Sequence, residues 1–293
     1  MRICEIAHAK LNLALHVRGR RPDGFHDLDS VFVYCADGDE LHFAPADALS
    51  LALSGPFAAG LSAGEDNLVL RAARALHHAW QRDEPARQEM DRRMAVPRGA
   101  AITLVKNLPP ASGIGGGSAD AAAALRALTA LWDLPDDLDR LLAIAADLGS
   151  DVGPCLVSRP LHVAGRGDRF ELLQDRAYLN WPVLLVNPGV PLATGPVFRG
   201  WDGVDRGALA EPSAFAAVVA HGRNDLAAPA IVQVPQIGDV LAALEAQAPK
   251  IARMSGSGAT CFALFDTAAE RDAAEAAIRA SHPAWWLLAT RLL

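Results

Sequence analysis

The chain has 293 residues, 51% hydrophobic and 21% charged. That is enough apolar material for one large domain or two ordinary ones, and it excludes intrinsic disorder. A formal net charge of -7 with no basic block argues against a protein that grips a nucleic-acid backbone, while leaving room for small anion sites built from backbone N–H groups and single lysines.

In chain order, residues 11–17 alternate apolar and polar in the manner of a strand, as do 31–35 and 41–44. Asn67 opens a helix with Val69, Ala72, Ala73, Leu76 and Trp80 on one face. Residues 82–100 are charged and contain Pro85 and Pro97, which predicts a loop. A strand over 101–105 is followed by helices over 116–132 and 137–148. Residues 183–186 form a buried strand. Residues 187–213 are rich in Gly and Pro and predict a long surface segment of the kind that carries function. A helix over 236–247, a strand over 260–265, a helix over 268–280 and a strand over 285–290 complete the chain. Strands dominate the first half and elements alternate in the second, which predicts an α+β protein of two domains, residues 1–158 and 159–293.

Cys4, Cys35, Cys155 and Cys261 are far apart in sequence. Neither zinc-type spacing nor a disulfide framework is indicated, and buried thiols in a reducing cytoplasm are expected, with no protein-held metal. No apolar stretch approaches the roughly 20 residues of a membrane helix. Lys10 interrupts the N-terminal apolar run, and Arg18, Arg20 and Arg21 follow it, which does not suit a signal peptide.

The strongest chemical signal is Pro109-Pro110-Ala111-Ser112-Gly113-Ile114-Gly115-Gly116-Gly117-Ser118-Ala119-Asp120, running into a helix. Glycines let backbone approach an anion with no Cβ in the way, and the helix adds free N–H groups and the positive end of its dipole. Together they predict a phosphate cradle. Ser118 could contact a phosphate oxygen or a bound metal, and Lys106 could add positive charge. A Walker A loop fails because no Lys follows the glycines. A dinucleotide fingerprint begins at Gly113 and Gly115 but has Ser118 in place of its last glycine. Asp136 and Asp137 stand near its acidic offset, with no strand before them.

The loop has company. Ala7-His8-Ala9-Lys10-Leu11-Asn12-Leu13 and Gly19-Arg20-Arg21-Pro22-Asp23-Gly24-Phe25-His26-Asp27-Leu28 precede it. Gly149-Ser150-Asp151-Val152 and Met254-Ser255-Gly256-Ser257-Gly258-Ala259-Thr260 follow it. In this order the series resembles the GHMP kinase superfamily over nearly the whole chain. The run from Lys10 to Leu28 is similar to the branch that phosphorylates a cytidine-diphosphate-linked methylerythritol in the non-mevalonate isoprenoid pathway. Three positions depart from that branch: His8 and Gly153 stand where Pro is usual, near Lys10 and Asp151, and Phe25 stands where Tyr is common.

The resemblance implies an N-terminal domain like ribosomal protein S5 domain 2 and a ferredoxin-like C-terminal domain, with the active site in the cleft between them. It implies ATP with Mg²⁺, a small cytidyl substrate, no nucleic-acid or membrane partner, and a monomer or weak homodimer. Asp151 would be the catalytic base, with Lys10 beside it to keep the carboxylate ionised and stabilise charge on the acceptor oxygen. The ATP side would comprise Asn67, Lys106, Pro110, Ala111, Ser112, Gly113, Ile114, Gly115, Gly116, Gly117, Ser118 and Asp120. On the substrate side, Phe25, His26 and Phe198 would read the base. Asn12, on the same strand face as Lys10, would orient the substrate, joined by Thr194, Ser257 and Gly258. For Asn67 and Asp151 a helix N-cap is an alternative role. A different superfamily kinase, a dinucleotide-dependent oxidoreductase and a non-catalytic nucleotide-binding module are the competing readings. The Asp23–His26 run, the broken fingerprint and the presence of both Lys10 and Asp151 argue against each in turn.

Overall fold

A computed structural model describes residues 2–81 and 99–293. The loop predicted over 82–100 lies, for residues 82–98, outside the described residues. The chain forms two compact units that interleave along the sequence. Unit 1 comprises Met1–His8, Gly38–Pro110 and Gly116–Val157; unit 2 comprises Ala9–Asp37, Ala111–Gly115 and Ser158–Leu293.

Two long strands open the chain, β1 (Ile3–Arg20) and β2 (His26–Ala46), and they pair with each other. The predicted strands at 31–35 and 41–44 are parts of β2. The residues between them, which the sequence pattern does not assign, stay extended because both flanks have sheet partners.

In unit 1, β3 (Ser50–Ser54) runs parallel to β4 (Gly99–Val105), which is antiparallel to the Glu40–Ala46 end of β2. Helix α1 (Leu68–Gln81) buries the predicted face of Val69, Ala72, Ala73, Leu76 and Trp80. It packs on α2 (Gly116–Leu131), where a run of fully buried alanines, Ala121–Ala124, lets the two backbones approach. Each fully buried Leu here, such as Leu76, Leu125 and Leu128, contributes about 1.5–3 kcal/mol. Helix α3 (Leu138–Leu148) is capped by the Asp137 carboxylate, which accepts the Arg140 N–H. The short α4 (Val152–Val157) follows.

In unit 2, the Leu28–Phe32 part of β2 pairs with β5 (Leu161–Gly165), which forms a hairpin with β6 (Arg169–Leu172). A second, wholly antiparallel sheet has the order β10-β7-β9-β8, from β7 (Pro182–Asn187), β8 (Ile251–Met254), β9 (Cys261–Leu264) and β10 (Trp286–Arg291). Helices α5 (Thr194–Arg199), α6 (Phe215–His221), α7 (Ala227–Gln233) and α8 (Gln236–Glu245) lie between β7 and β8 in sequence, and α9 (Ala268–Ser281) lies between β9 and β10. With the intervening helices counted as one connection, this is the ferredoxin-like βαββαβ order. Leu184, Val186, Cys261 and Ala263 from the sheet join Ile237, Val240 and Leu244 of α8 and Ala274 and Ile278 of α9 in one core.

The protein is therefore α+β. The predicted strands at 183–186, 260–265 and 285–290 and the helices at 116–132, 137–148, 236–247 and 268–280 are present within a few residues of their ends. The turn-rich segment over 187–213 differs in containing α5, whose Pro196 stands in the first turn, where its missing N–H costs no helical bond. Cys35, Cys155 and Cys261 are buried, but Cys4 is exposed.

Candidate active site

In unit 2 the first half of the glycine loop is pinned by three bonds. Ile114 O accepts the backbone N–H of Lys10 at 2.9 Å, and Ser112 O accepts that of Thr260 at 3.1 Å. Gly113 O accepts the Ser255 hydroxyl at 2.9 Å. Gly113 has φ +79°, and a Cβ there would fall 2.4 Å from Ser255 O, so only glycine fits. The Ser255 hydroxyl also accepts the backbone N–H of Asn12 at 3.1 Å. Asn224 donates through its side chain to Met254 O (2.7 Å) and Gly256 O (2.8 Å), holding the second loop in place.

Lys10 and Asn12 therefore sit at the meeting point of both loops. The Lys10 ammonium donates to Asn12 Oδ1 at 3.0 Å and lies 4.2 Å from the centroid of the Phe32 ring. Asn12 Nδ2 donates to the Ser30 hydroxyl at 2.9 Å, which donates to Ala14 O at 2.6 Å. This chain fixes the amide so that its oxygen faces Lys10. Lys10 is only 4% exposed, an expensive position for a lysine unless its charge is used or balanced. In the second loop, the Ser257 hydroxyl lies 3.0 Å from that of Thr194, at the start of α5.

Base-recognition candidates also come together in unit 2. The His26 ring lies 5.1 Å from that of Phe198 and 5.8 Å from that of Trp201, centroid to centroid. Burial, aided by the charge of Arg20, lowers the His26 pKa below that of an ordinary histidine and favours the neutral ring. Phe25 projects from the turn with more than half its surface exposed, and the Arg166 guanidinium lies 5.0 Å from its ring centroid.

In unit 1 the structure adds Asp39 to the predicted Lys106 and Asp120. Lys106 is buried between two carboxylates, donating to Asp39 Oδ2 (2.5 Å) and Asp120 Oδ2 (2.7 Å). Asp39 Oδ1 accepts the backbone N–H groups of Asn107 (2.6 Å) and Leu108 (2.8 Å). Burial works to lower the Lys106 pKa, but its two carboxylates outweigh that and raise it. Asp120 is pushed up to about 7 by burial and by Asp39, against the pull of Lys106. The ion cluster lies beneath the start of α2: a Cβ on Gly116 would come 3.1 Å from the Lys106 ammonium. Lys106 and Asp120 are thus placed as the support of the helix N-terminus. Pro110, Ala111 and Gly117 are exposed, Gly115 and Ser118 half-buried. Asn67 caps α1, its Oδ1 accepting the Val69 N–H at 2.9 Å. Asp151 is half-buried just before α4, its carbonyl accepting the Cys155 N–H.

Asp39, Ser255, Asn224 and Trp201 were not singled out from sequence. Ser255 lay within the quoted glycine-serine run, but the other three carry no local signature, since the partners named here are between 30 and 181 residues away in sequence.

Two domain families match this chain: GHMP kinases N terminal domain over residues 67–159 and GHMP kinases C terminal over residues 209–284. The fold also resembles a homoserine kinase structure from Cytophaga hutchinsonii, with TM-score 0.67 and 16% identity over 99% of this chain and 95% of that one. The class is a GHMP kinase fold. At closer range, the chain is 48% identical to the 4-diphosphocytidyl-2-C-methyl-D-erythritol kinase of Sphingopyxis alaskensis, over 98% of both chains. It is 50% identical to that of Rhizorhabdus wittichii, over 98% of this chain and 94% of the relative. A crystal structure of 4-(cytidine 5'-diphospho)-2C-methyl-D-erythritol kinase matches with TM-score 0.77 and 31% identity, covering 100% of this chain and 99% of that one. The chain belongs to the 4-diphosphocytidyl-2-C-methyl-D-erythritol kinase family.

Proposed function

We propose that this chain transfers the γ-phosphoryl group of ATP to the 2-hydroxyl of 4-diphosphocytidyl-2-C-methyl-D-erythritol, giving the 2-phosphate and ADP. The observation that carries the reading is the convergence, within unit 2, of Lys10 and Asn12 with the loops at Ser112–Ile114 and Ser255–Gly258. Phosphoryl transfer asks the protein mainly for positioning and charge. The loop at 111–117 and the first N–H groups of α2 are suited to phosphate oxygens, because glycines leave the backbone open and the helix start leaves donors unsatisfied. Lys10, held by Asn12 in an apolar setting, is assigned to the charge that builds on the acceptor oxygen. Asp151 is assigned to the proton of the 2-hydroxyl. His26, Phe25 and Phe198 are assigned to the cytosine, with flat faces for stacking and a neutral imidazole for hydrogen bonding. Thr194, Ser257 and Gly258 are assigned to the rest of the substrate.

Among the described residues no cluster of three or more His, Cys, Asp or Glu side chains could hold a metal. Mg²⁺ is read as arriving on the triphosphate, with Ser118 supplying at most one ligand. When bound, the ion offsets negative charge on the phosphate oxygens. The reading extends to a cytoplasmic enzyme working as a monomer or weak homodimer. No helix of the described residues is long and apolar enough to cross a membrane.

The test is a coupled ADP-release assay with Mg-ATP and the cytidyl substrate, using homoserine and mevalonate as controls. ADP release with the cytidyl substrate alone is expected. Release with a control instead, or none from folded protein that binds ATP, would reject the reading.

A further inference from the structure

Two buried polar atoms on neighbouring rings have no hydrogen-bond partner, Nε2 of His26 and Nε1 of Trp201. The residues are 8% and 4% exposed. Buried polar atoms left unpaired are costly, so their adjacency marks a place where packing has been set by something other than core stability. Trp201 meets His26 edge to face, with an interplanar angle of 84°, while Phe198 is tilted at 42°. His26 thus has its ring plane set by two aromatic neighbours.

A single nitrogen of Arg20 holds those neighbours in place. Arg20 Nη2 donates to Arg199 O at 3.1 Å and to Trp201 O at 2.8 Å. The first carbonyl belongs to the last residue of α5, the helix carrying Phe198; the second belongs to Trp201 itself. Arg20 ends β1 and His26 begins β2. The connection between them is closed by Arg21 N–H to Phe25 O at 2.8 Å and Gly24 N–H to Arg21 O at 3.1 Å. One guanidinium therefore fastens the turn that bears Phe25 and His26 to the helix end that bears Phe198 and Trp201.

We infer that Arg20 and Trp201 are positioning residues for base recognition: Arg20 locks the two aromatic-bearing segments together, and the Trp201 ring fixes the plane of His26. The inference rests on the assignment of His26 and Phe198 to the cytosine. The Trp201 ring, rather than its N–H, does the positioning, because the contact with His26 is between ring systems.

The test is steady-state kinetics on Arg20→Met, Arg20→Lys, Trp201→Leu and Trp201→Phe, with each fold checked by thermal denaturation. Arg20→Met and Trp201→Leu should raise KM for the cytidyl substrate about tenfold, the scale of one lost charge-assisted hydrogen bond. KM for ATP and kcat at saturation should stay within about twofold of the wild type, and Arg20→Lys and Trp201→Phe should recover most of the loss. If the folded Met and Leu variants keep the wild-type KM for the cytidyl substrate, the inference falls. It also falls if both KM values rise together, the mark of a purely structural role. A wild type that does not turn over the cytidyl substrate would instead remove the functional reading; CDP binding by the same variants would then still test the brace, with unchanged affinity overturning it.

Discussion

Lys106 and Asp39 are joined by a 2.5 Å hydrogen bond, with the lysine 3% and the aspartate 0% exposed. A buried pair of this kind is weak evidence for net stability, but removing one partner strands the other's charge. Asp39 also receives two backbone N–H groups at the end of β4, so its loss uncaps the segment that leads into the glycine loop. Asp39→Ala should lower the unfolding free energy by about 3–5 kcal/mol, the range for breaking a buried ion pair. Asp39→Asn, which keeps an oxygen acceptor, should cost less. Equal midpoints in urea for wild type and Asp39→Ala would contradict the role.

Asp120 should make stability depend on pH in a specific direction. Its folded pKa is raised to about 7, above an ordinary carboxyl near 3.9. The folded state therefore holds the proton more tightly than the unfolded one. The associated stability is fully present below about pH 4 and is lost as pH rises through about 7. Asn at this position cannot titrate. Measured from about pH 4 to 8, the stability of Asp120→Asn relative to wild type should move steadily in the variant's favour. A difference that stays flat across that range would place the Asp120 titration elsewhere.

Gly113 and Gly203 separate two reasons for glycine. Both have positive φ, at +79° and +82°, but only Gly113 has backbone within reach of a new Cβ, 2.4 Å away, whereas Gly203 has nothing within 4 Å. Gly203→Ala should show only the strain of its backbone conformation, on the order of 1 kcal/mol. Gly113→Ala must also push the Ser255 loop away, and should lose more stability and weaken ATP binding as well. Calorimetry on the two variants checks both expectations, and similar losses would mean that the contact with Ser255 relaxes freely.

Local pattern made much of this fold readable. The α1 face, the alanine helix after the glycines and the strand-helix alternation near the C-terminus all follow from periods of two and 3.6 residues. The strands predicted at 31–35 and 41–44 are one strand, because sheet partners on both flanks hold the residues between them extended, a non-local effect. The short β3, β5, β6, β8 and α6 elements have too few residues for a period to show. In the site, Lys10 was legible through the motif that resembles the GHMP kinases, Asn12 through its place two residues further along the same strand face, and the glycine loop from its composition. Trp201 was not, since its role depends on ring contacts with residues far away in the chain. Lys106 was legible as a cation near the loop; its burial between Asp39 and Asp120 was not, because Asp39 lies 67 residues from it.

Lys10 offers the sharpest separation of chemistry from architecture. Its backbone N–H, which holds Ile114, is independent of the side chain, and the side chain, 4% exposed, lies over the Phe32 ring. Methionine has nearly the same length and no charge, so Lys10→Met should fold with the loop still anchored through the backbone. What it removes is the ammonium that Asn12 Oδ1 orients. If that charge stabilises the acceptor oxygen during transfer, kcat should fall about 10²–10³-fold, the scale for losing one electrostatic donor, while KM for the cytidyl substrate changes little. Asn12→Leu, which removes the amide oxygen that the ammonium donates to, should lower kcat less. Steady-state kinetics on the two variants decide the point: a Lys10→Met enzyme with wild-type kcat would reduce the lysine to a packing residue, because the fold and both loop anchors would be intact and only the charge would be gone.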